Sequence, residues 1–127
     1  MVHDSKSNIF QVAVKAIVQN SNGQILILKK SVEENLEDAS KNLFDIPGGR
    51  LEYGENLEVA LVREIVEETN LQITNIQLLH ADSVIRPDKT QLITITYLCN
   101  CLEEECSLSK EHTHSYWLNA IKPSHHL

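Results

Sequence analysis

Residues 49 to 71 read GRLEYGENLEVALVREIVEETNL, and the segment Arg63-Glu64-Ile65-Val66-Glu67-Glu68-Thr69 within them decides how the chain is organised. On an α-helix Glu64, Glu67 and Glu68 stand at i, i+3 and i+4, the spacing at which side chains meet on one face. Like charges at that spacing cost a helix about 0.2–0.5 kcal/mol per pair. Three crowded carboxylates therefore call for a compensating cation.

The helix has start and stop signals. Asn56 suits an N-cap, Glu58 suits the positive end of the helix dipole, and Asn70 tolerates the left-handed conformation of a helix terminus. At about 100° per residue, Leu61, Ile65, Val62, Val66 and Val59 fall on one arc, expected to be buried. Glu67, Ala60, Glu64, Leu57 and Glu68 fall on the opposite arc, where small Ala60 leaves room between carboxylates. Arg63 lies at the edge of this acidic face.

Upstream, LFDIPGGRLEYGE holds three of the four glycines and Pro47, which break any regular element. Before it, Val12–Val18 and Ile25–Leu28 are apolar, β-branched runs joined through Asn22-Gly23, the strongest short hairpin signal. The stretch 31–43 is polar and acidic and reads either as a helical turn or as a long loop. Downstream, LQITNIQLLHADSVI reads as extended, Arg86-Pro87-Asp88-Lys89 as a turn and QLITITYLCNC as a strand. In that strand Ile93, Ile95, Tyr97, Cys99 and Cys101 share one side. Glu103 to Glu105 read as a solvated loop, and the tail with Trp117 as one more strand and a short helical turn. Strands, glycine loop, helix and strands in this order give an α/β (α+β) class packed in layers.

Composition narrows the function. With 127 residues, 42% of them hydrophobic, the chain suits one domain spanning 1–127. No run is long and apolar enough for a membrane span, and the N-terminal residues lack a secretory pattern, so a cytoplasmic protein is expected. A formal charge of -7 disfavours a nucleic-acid polymer as partner. A small anionic substrate remains compatible, because a bound divalent cation reverses the local field. Cys99, Cys101 and Cys106 read as reduced thiols, two of them on an apolar face. Their spacing to His112 and His114 fits no usual zinc pattern.

The stretch from Gly49 to Leu71 resembles the Nudix box, G-x5-E-x7-R-E-U-x-E-E-x-G-U with U aliphatic, at Gly49, Glu55, Arg63, Glu64, Ile65, Glu67, Glu68 and Leu71. Asn70 replaces the last glycine. The resemblance implies a Nudix-type α/β/α sandwich with a mixed β-sheet. It also implies Mg²⁺- or Mn²⁺-dependent hydrolysis of a nucleoside diphosphate linked to another moiety, such as a nucleoside triphosphate or an ADP-ribose-like substrate. Metal ligands implied are Glu67, Glu68, Glu64, Glu55 and the Gly48 carbonyl. Arg63 is implied to orient Glu64 or Glu55. Either Glu64 or Glu111, the latter in an E-H-x-x-x-x-W tail seen in some relatives, is the general base. Arg50 and Lys15 are candidate phosphate contacts, and Phe44 and Tyr53 candidate contacts to the base. A small nucleotide is the expected partner, and a second copy of the chain is left open. A nucleotide-binding domain without catalysis is the alternative, which the intact carboxylate set disfavours.

Overall fold

The computed structural model describes residues 9–31 and 43–119. The Asn22-Gly23 turn forms as the sequence indicates. Gly23 takes φ 75°, and Asn20 Oδ1 accepts from the Asn22 and Gln24 backbone N–H groups at 3.0 and 2.9 Å. The turn joins β1 (Phe10–Gln19) to β2 (Gln24–Lys30). The two strands then separate, pairing only through Gln19 and Ile25.

β1 continues as the centre of the fold. It runs parallel to β6 (Gln91–Asn100) from Phe10↔Gln91 to Gln19↔Asn100. On its other side it pairs antiparallel with the short β4 (Gly48–Arg50), in the register Ala13↔Arg50, Val14↔Gly49 and Lys15↔Gly48. β6 in turn pairs antiparallel with β5 (Thr74–Ile85). β2 carries β3 (Phe44–Asp45) and β7 (His112–Asn119), both antiparallel. The sheet is mixed, as expected. The second turn of the Arg86–Lys89 segment also forms, closed by Lys89 N–H to the Arg86 carbonyl at 2.9 Å.

The helix α1 spans Leu57–Thr69. Asn56 caps it, accepting from the Glu58 and Val59 N–H groups at 2.9 and 3.4 Å, and Asn70 ends it at φ 59°. Its packing face bears out the sequence expectation at Leu61 and Ile65 and corrects it elsewhere. Val59, placed on the buried arc, is 60% exposed, whereas Ala60 is fully buried and Glu68 is 6% exposed. The face turned to the sheet is Ala60, Leu61, Ile65 and Glu68, with half-buried Leu57 packed against the same core. The physical reason is the paired glycine of β4. A Cβ at Gly49 would overlap the Glu64 carboxylate, so only a bare backbone there lets the acidic stripe turn inward. Glu64 and Glu68 are therefore held against the sheet, while Glu67 stays exposed.

Val14, Ala16 and Val18 of β1, Leu26 and Leu28 of β2, Tyr97 and Cys99 of β6, and Leu61 and Ile65 of α1 form the core. Full burial of each Leu or Ile contributes about 1.5–3 kcal/mol. The three cysteines are free, with Cys99 and Cys101 buried as predicted. Burial pushes the Cys99 thiol up to about 12 and Cys101 up to about 11. Glu104 does more than the solvated loop expected of it. It accepts from Asn20 Nδ2 at 2.7 Å, and its carbonyl accepts from the Trp117 indole at 2.9 Å.

Among the described residues α1 is the one helix, and the end of the tail, where a helical turn is expected, lies outside them. Most of the 31–43 stretch lies outside them too. No described helix is long and apolar enough to cross a membrane.

Candidate active site

The box carboxylates separate into two groups. The first gathers on Arg63. Its Nε donates to Glu55 Oε2 at 2.6 Å and its Nη2 to Glu55 Oε1 at 2.8 Å. Nη1 donates to Glu64 Oε1 at 3.0 Å and reaches Glu67 at 3.3 Å. Nη2 also donates to the Arg50 carbonyl at 3.2 Å, which ties the helix to the end of β4. Arg63 thus orients both carboxylates that the sequence offered as alternatives. The paired guanidinium holds the Glu55 carboxyl down at about 2, with the Glu52 backbone N–H as a second cause. Arg63 itself is raised, chiefly by Glu55. Glu67 is exposed.

The second group centres on Glu68. Its Oε1 accepts the Gly48 N–H at 2.8 Å, and its Oε2 lies 3.9 Å from His112 Nε2. One oxygen each of Glu68 and Glu111 and one His112 ring nitrogen lie within 4.8 Å of one another. Burial pushes the Glu68 carboxyl up to about 7, and the Glu64 and Glu111 charges add to this against the Gly48 hydrogen bond. Burial likewise raises Glu64, opposed by Arg63.

Glu111 is brought to this place by the chain after β6. The Ser107 N–H donates to the Thr69 carbonyl at 2.9 Å and the Ser109 N–H to the Glu68 carbonyl at 3.3 Å. The carbonyls at the C-terminal end of α1 thereby anchor the loop. The Ser31 N–H then holds the Glu111 carbonyl at 2.8 Å. The loop ends at β7 with Glu111 and His112 facing the helix.

A cavity of about 350 Å³ opens beside this cluster. Glu68, Glu111 and His112 line it together with Gly48, Gly49 and Ala13. Four cationic side chains, Lys15, Lys30, Arg50 and Arg86, line it as well. Lys15 makes a close ion pair with Asp45. Of the four substrate contacts read from the sequence, Arg50 and Lys15 line this cavity. Phe44 faces a separate apolar groove with Tyr116, their rings 6.0 Å apart, and Tyr53 is fully exposed beside Phe10 and Arg50.

Sequence reasoning missed His112, Asp45 and Arg86. From the sequence alone His112 enters only as a zinc ligand with the cysteines. The signal that marks it is its place next to Glu111, which any contact between Glu111 and the box would bring along. Asp45 and Arg86 carry no signal of their own, because strand pairing alone brings them to the cavity.

The sequence model of one family, described as NUDIX domain, matches residues 9–122. An ADP-ribose pyrophosphatase of Methanocaldococcus jannaschii is 43% identical over 60 residues, 47% of this chain and 32% of that protein. An 8-oxo-dGTP diphosphatase of Escherichia coli is 36% identical over 61 residues, 48% of this chain and 43% of that protein. The match thus spans less than half the length of these curated relatives. Among solved structures, the MutT protein from Methanosarcina mazei superposes with a TM-score of 0.72 at 24% identity, covering 88% of this chain and 78% of that one. A MutT NUDIX hydrolase from Burkholderia pseudomallei gives 0.70 at 22% identity, covering 92% and 91%.

Proposed function

The chain belongs to the Nudix family, and from that premise we propose that it is a hydrolase cleaving the diphosphate bond of a nucleoside diphosphate linked to another moiety, with a divalent cation as cofactor. The observation that carries this reading is the Glu68 carboxylate, 6% exposed and grouped with Glu111 and His112 at a cavity lined by cations. Carboxylate ligands with the Lys15 and Lys30 side chains in one cavity suit a diphosphate.

The residues present fit a divalent cation. Glu68 is desolvated, lies near two further carboxylates and is held well above the usual carboxylate range, the condition that a bound cation relieves. Glu68 would hold the ion with Glu64 and the Gly48 carbonyl, and Glu67 and Glu55 would complete the set directly or through water. Oxygen donors of this kind suit Mg²⁺ or Mn²⁺. When bound, such an ion supplies charge neutralisation of the phosphoryl oxygens and a bound water of lowered pKa.

The chain's own groups do the rest. Arg63 fixes Glu55 and Glu64 in place, and the Gly48 N–H fixes Glu68. Glu111 is exposed at the cavity and is the leading general base, since a proton it accepts can pass directly to solvent. Glu64 is the second candidate, limited by the Arg63 hydrogen bond on Oε1. Lys15 lines the same cavity as a phosphate contact, oriented by Asp45.

The test is chromatographic detection of the nucleotide products formed from a panel of nucleoside triphosphates, 8-oxo-dGTP and ADP-ribose, with Mg²⁺ and with chelator. Turnover of at least one substrate that chelator abolishes is expected. Binding without turnover across the panel would leave the binding-only reading in its place.

A further inference from the structure

The four cations of the cavity are not equivalent. Lys15 and Lys30 both pair with Asp45, Lys30 at 3.7 Å. Among the described residues no carboxylate lies within ion-pair distance of Arg50 or Arg86. Both guanidinium groups instead donate to one neutral acceptor, Gln11 Oε1, Arg86 at 3.2 Å and Arg50 in a close contact. Asp88 acts on both guanidinium groups from longer range, and burial and the Arg86 charge push Arg50 below its usual pKa. Two like charges converging on an amide oxygen repel each other, and an anion placed between them removes the repulsion.

Their place in the fold separates them from the carboxylates. Gly48, the partner of Glu68, is opposite Lys15 on β1, whereas Arg50 is opposite Ala13 and Gln11 lies further on. From Lys15 to Gln11 the strand runs roughly 13 Å at about 3.3 Å per residue. Arg86, at the end of β5, reaches the same end of the cavity.

We propose that Arg50, Arg86 and Gln11 form a second anion subsite that takes a phosphoryl group of the substrate beyond the scissile diphosphate. The chain then favours a nucleoside triphosphate, or a linked moiety that is itself phosphorylated, over a nucleoside diphosphate capped by a neutral sugar. The shared chemistry is a phosphoryl group bound by two guanidinium forks, and Gln11 turns its amide N–H groups toward the anion when one is bound. This preference rests on the hydrolytic reading above. Anion binding itself does not.

Two arms test it. In the first, the full chain in chelator is titrated calorimetrically with inorganic phosphate. Saturable binding is expected, weakened about tenfold or more in Arg50→Gln and in Arg86→Gln, as for loss of a charge-assisted contact. Lys89→Gln, which removes a cation from the same turn outside the cavity, should change it less than about twofold. Absence of saturable binding, or an equal loss in Lys89→Gln, overturns the subsite. In the second arm, kcat/KM is compared for a nucleoside triphosphate, ADP-ribose and ADP-ribose 2′-phosphate. Arg86→Gln should lower the first or the third about tenfold and leave ADP-ribose within about twofold. Equal losses on all three overturn the preference. Failure of the wild type to turn over any substrate counts against the hydrolytic reading, while the phosphate titration still judges the subsite.

Discussion

Arg63 grips Glu55 at two points, Nε on one carboxylate oxygen and Nη2 on the other, across the eight residues that separate the loop from the middle of α1. The same guanidinium reaches Glu64 and Glu67, so one planar fork sets three carboxylates.

Lysine cannot reproduce that fork. Arg63→Lys should therefore lower kcat by about tenfold or more with a smaller change in KM, as expected when reacting groups lose their alignment. The pair also has a pH signature. The folded pKa of Glu55, about 2, is depressed below its unfolded value, so its contribution to stability is present above about pH 4.5 and lost as pH falls toward 2. Melting temperatures between pH 5 and 2 should fall more steeply for the wild type than for Glu55→Gln. Parallel curves would count against the pair.

Glu68 has the opposite sign. Its folded pKa is raised to about 7, so the folded state binds the proton more tightly than the unfolded one. Metal-free stability should fall as pH rises from about 4.5 to about 7, by up to about 3 kcal/mol at 1.4 kcal/mol per unit. Saturating Mg²⁺ should flatten this slope, and Glu68→Gln should remove it. Chemical denaturation in chelator at pH 5 and pH 8 measures it.

Gly49 makes room for the Glu64 carboxylate. Gly49→Ala should destabilise the protein by about 1–3 kcal/mol through overpacking and reduce turnover. Adding Glu64→Ala should recover most of the stability and none of the activity. Additive losses in the double variant would show that the clash lies elsewhere.

Asn70 ends α1 at φ 59°, with its N–H on the Val66 carbonyl at 2.9 Å. Asn70→Gly should be neutral or mildly stabilising, whereas Asn70→Val should cost about 1–2 kcal/mol because a β-branched residue resists the left-handed conformation. Equal melting temperatures for the two variants would contradict this.

The helix limits were legible in the sequence because Asn56 and Asn70 act locally, and the β1–β2 hairpin because Asn22-Gly23 does. The buried face of α1 was legible only at Leu61 and Ile65. Val59, Val62 and Val66 are as apolar as the residues that pack, and the choice is made by Gly48 and Gly49 on a strand that the helix only later meets. The box alone identified the Arg63 cluster, since its members lie within two turns of one helix and its preceding loop. Glu111 was placed by family likeness. His112, Asp45 and Arg86 were hidden, because register and loop anchoring bring them to the cavity from distant points in the chain.

The most direct measurement of the central claim is kcat with saturating Mg²⁺ on the best substrate of the panel, for wild type, Glu68→Gln and Glu111→Gln. Each variant keeps side-chain size while removing a basic carboxylate oxygen. The predicted result is a loss of about 10² or more in kcat for both, comparable to removing one strong electrostatic contact at a transition state, with near-wild-type melting temperatures. Wild-type kcat in Glu68→Gln would contradict the site. Wild-type kcat in Glu111→Gln alone would pass the role of base to Glu64.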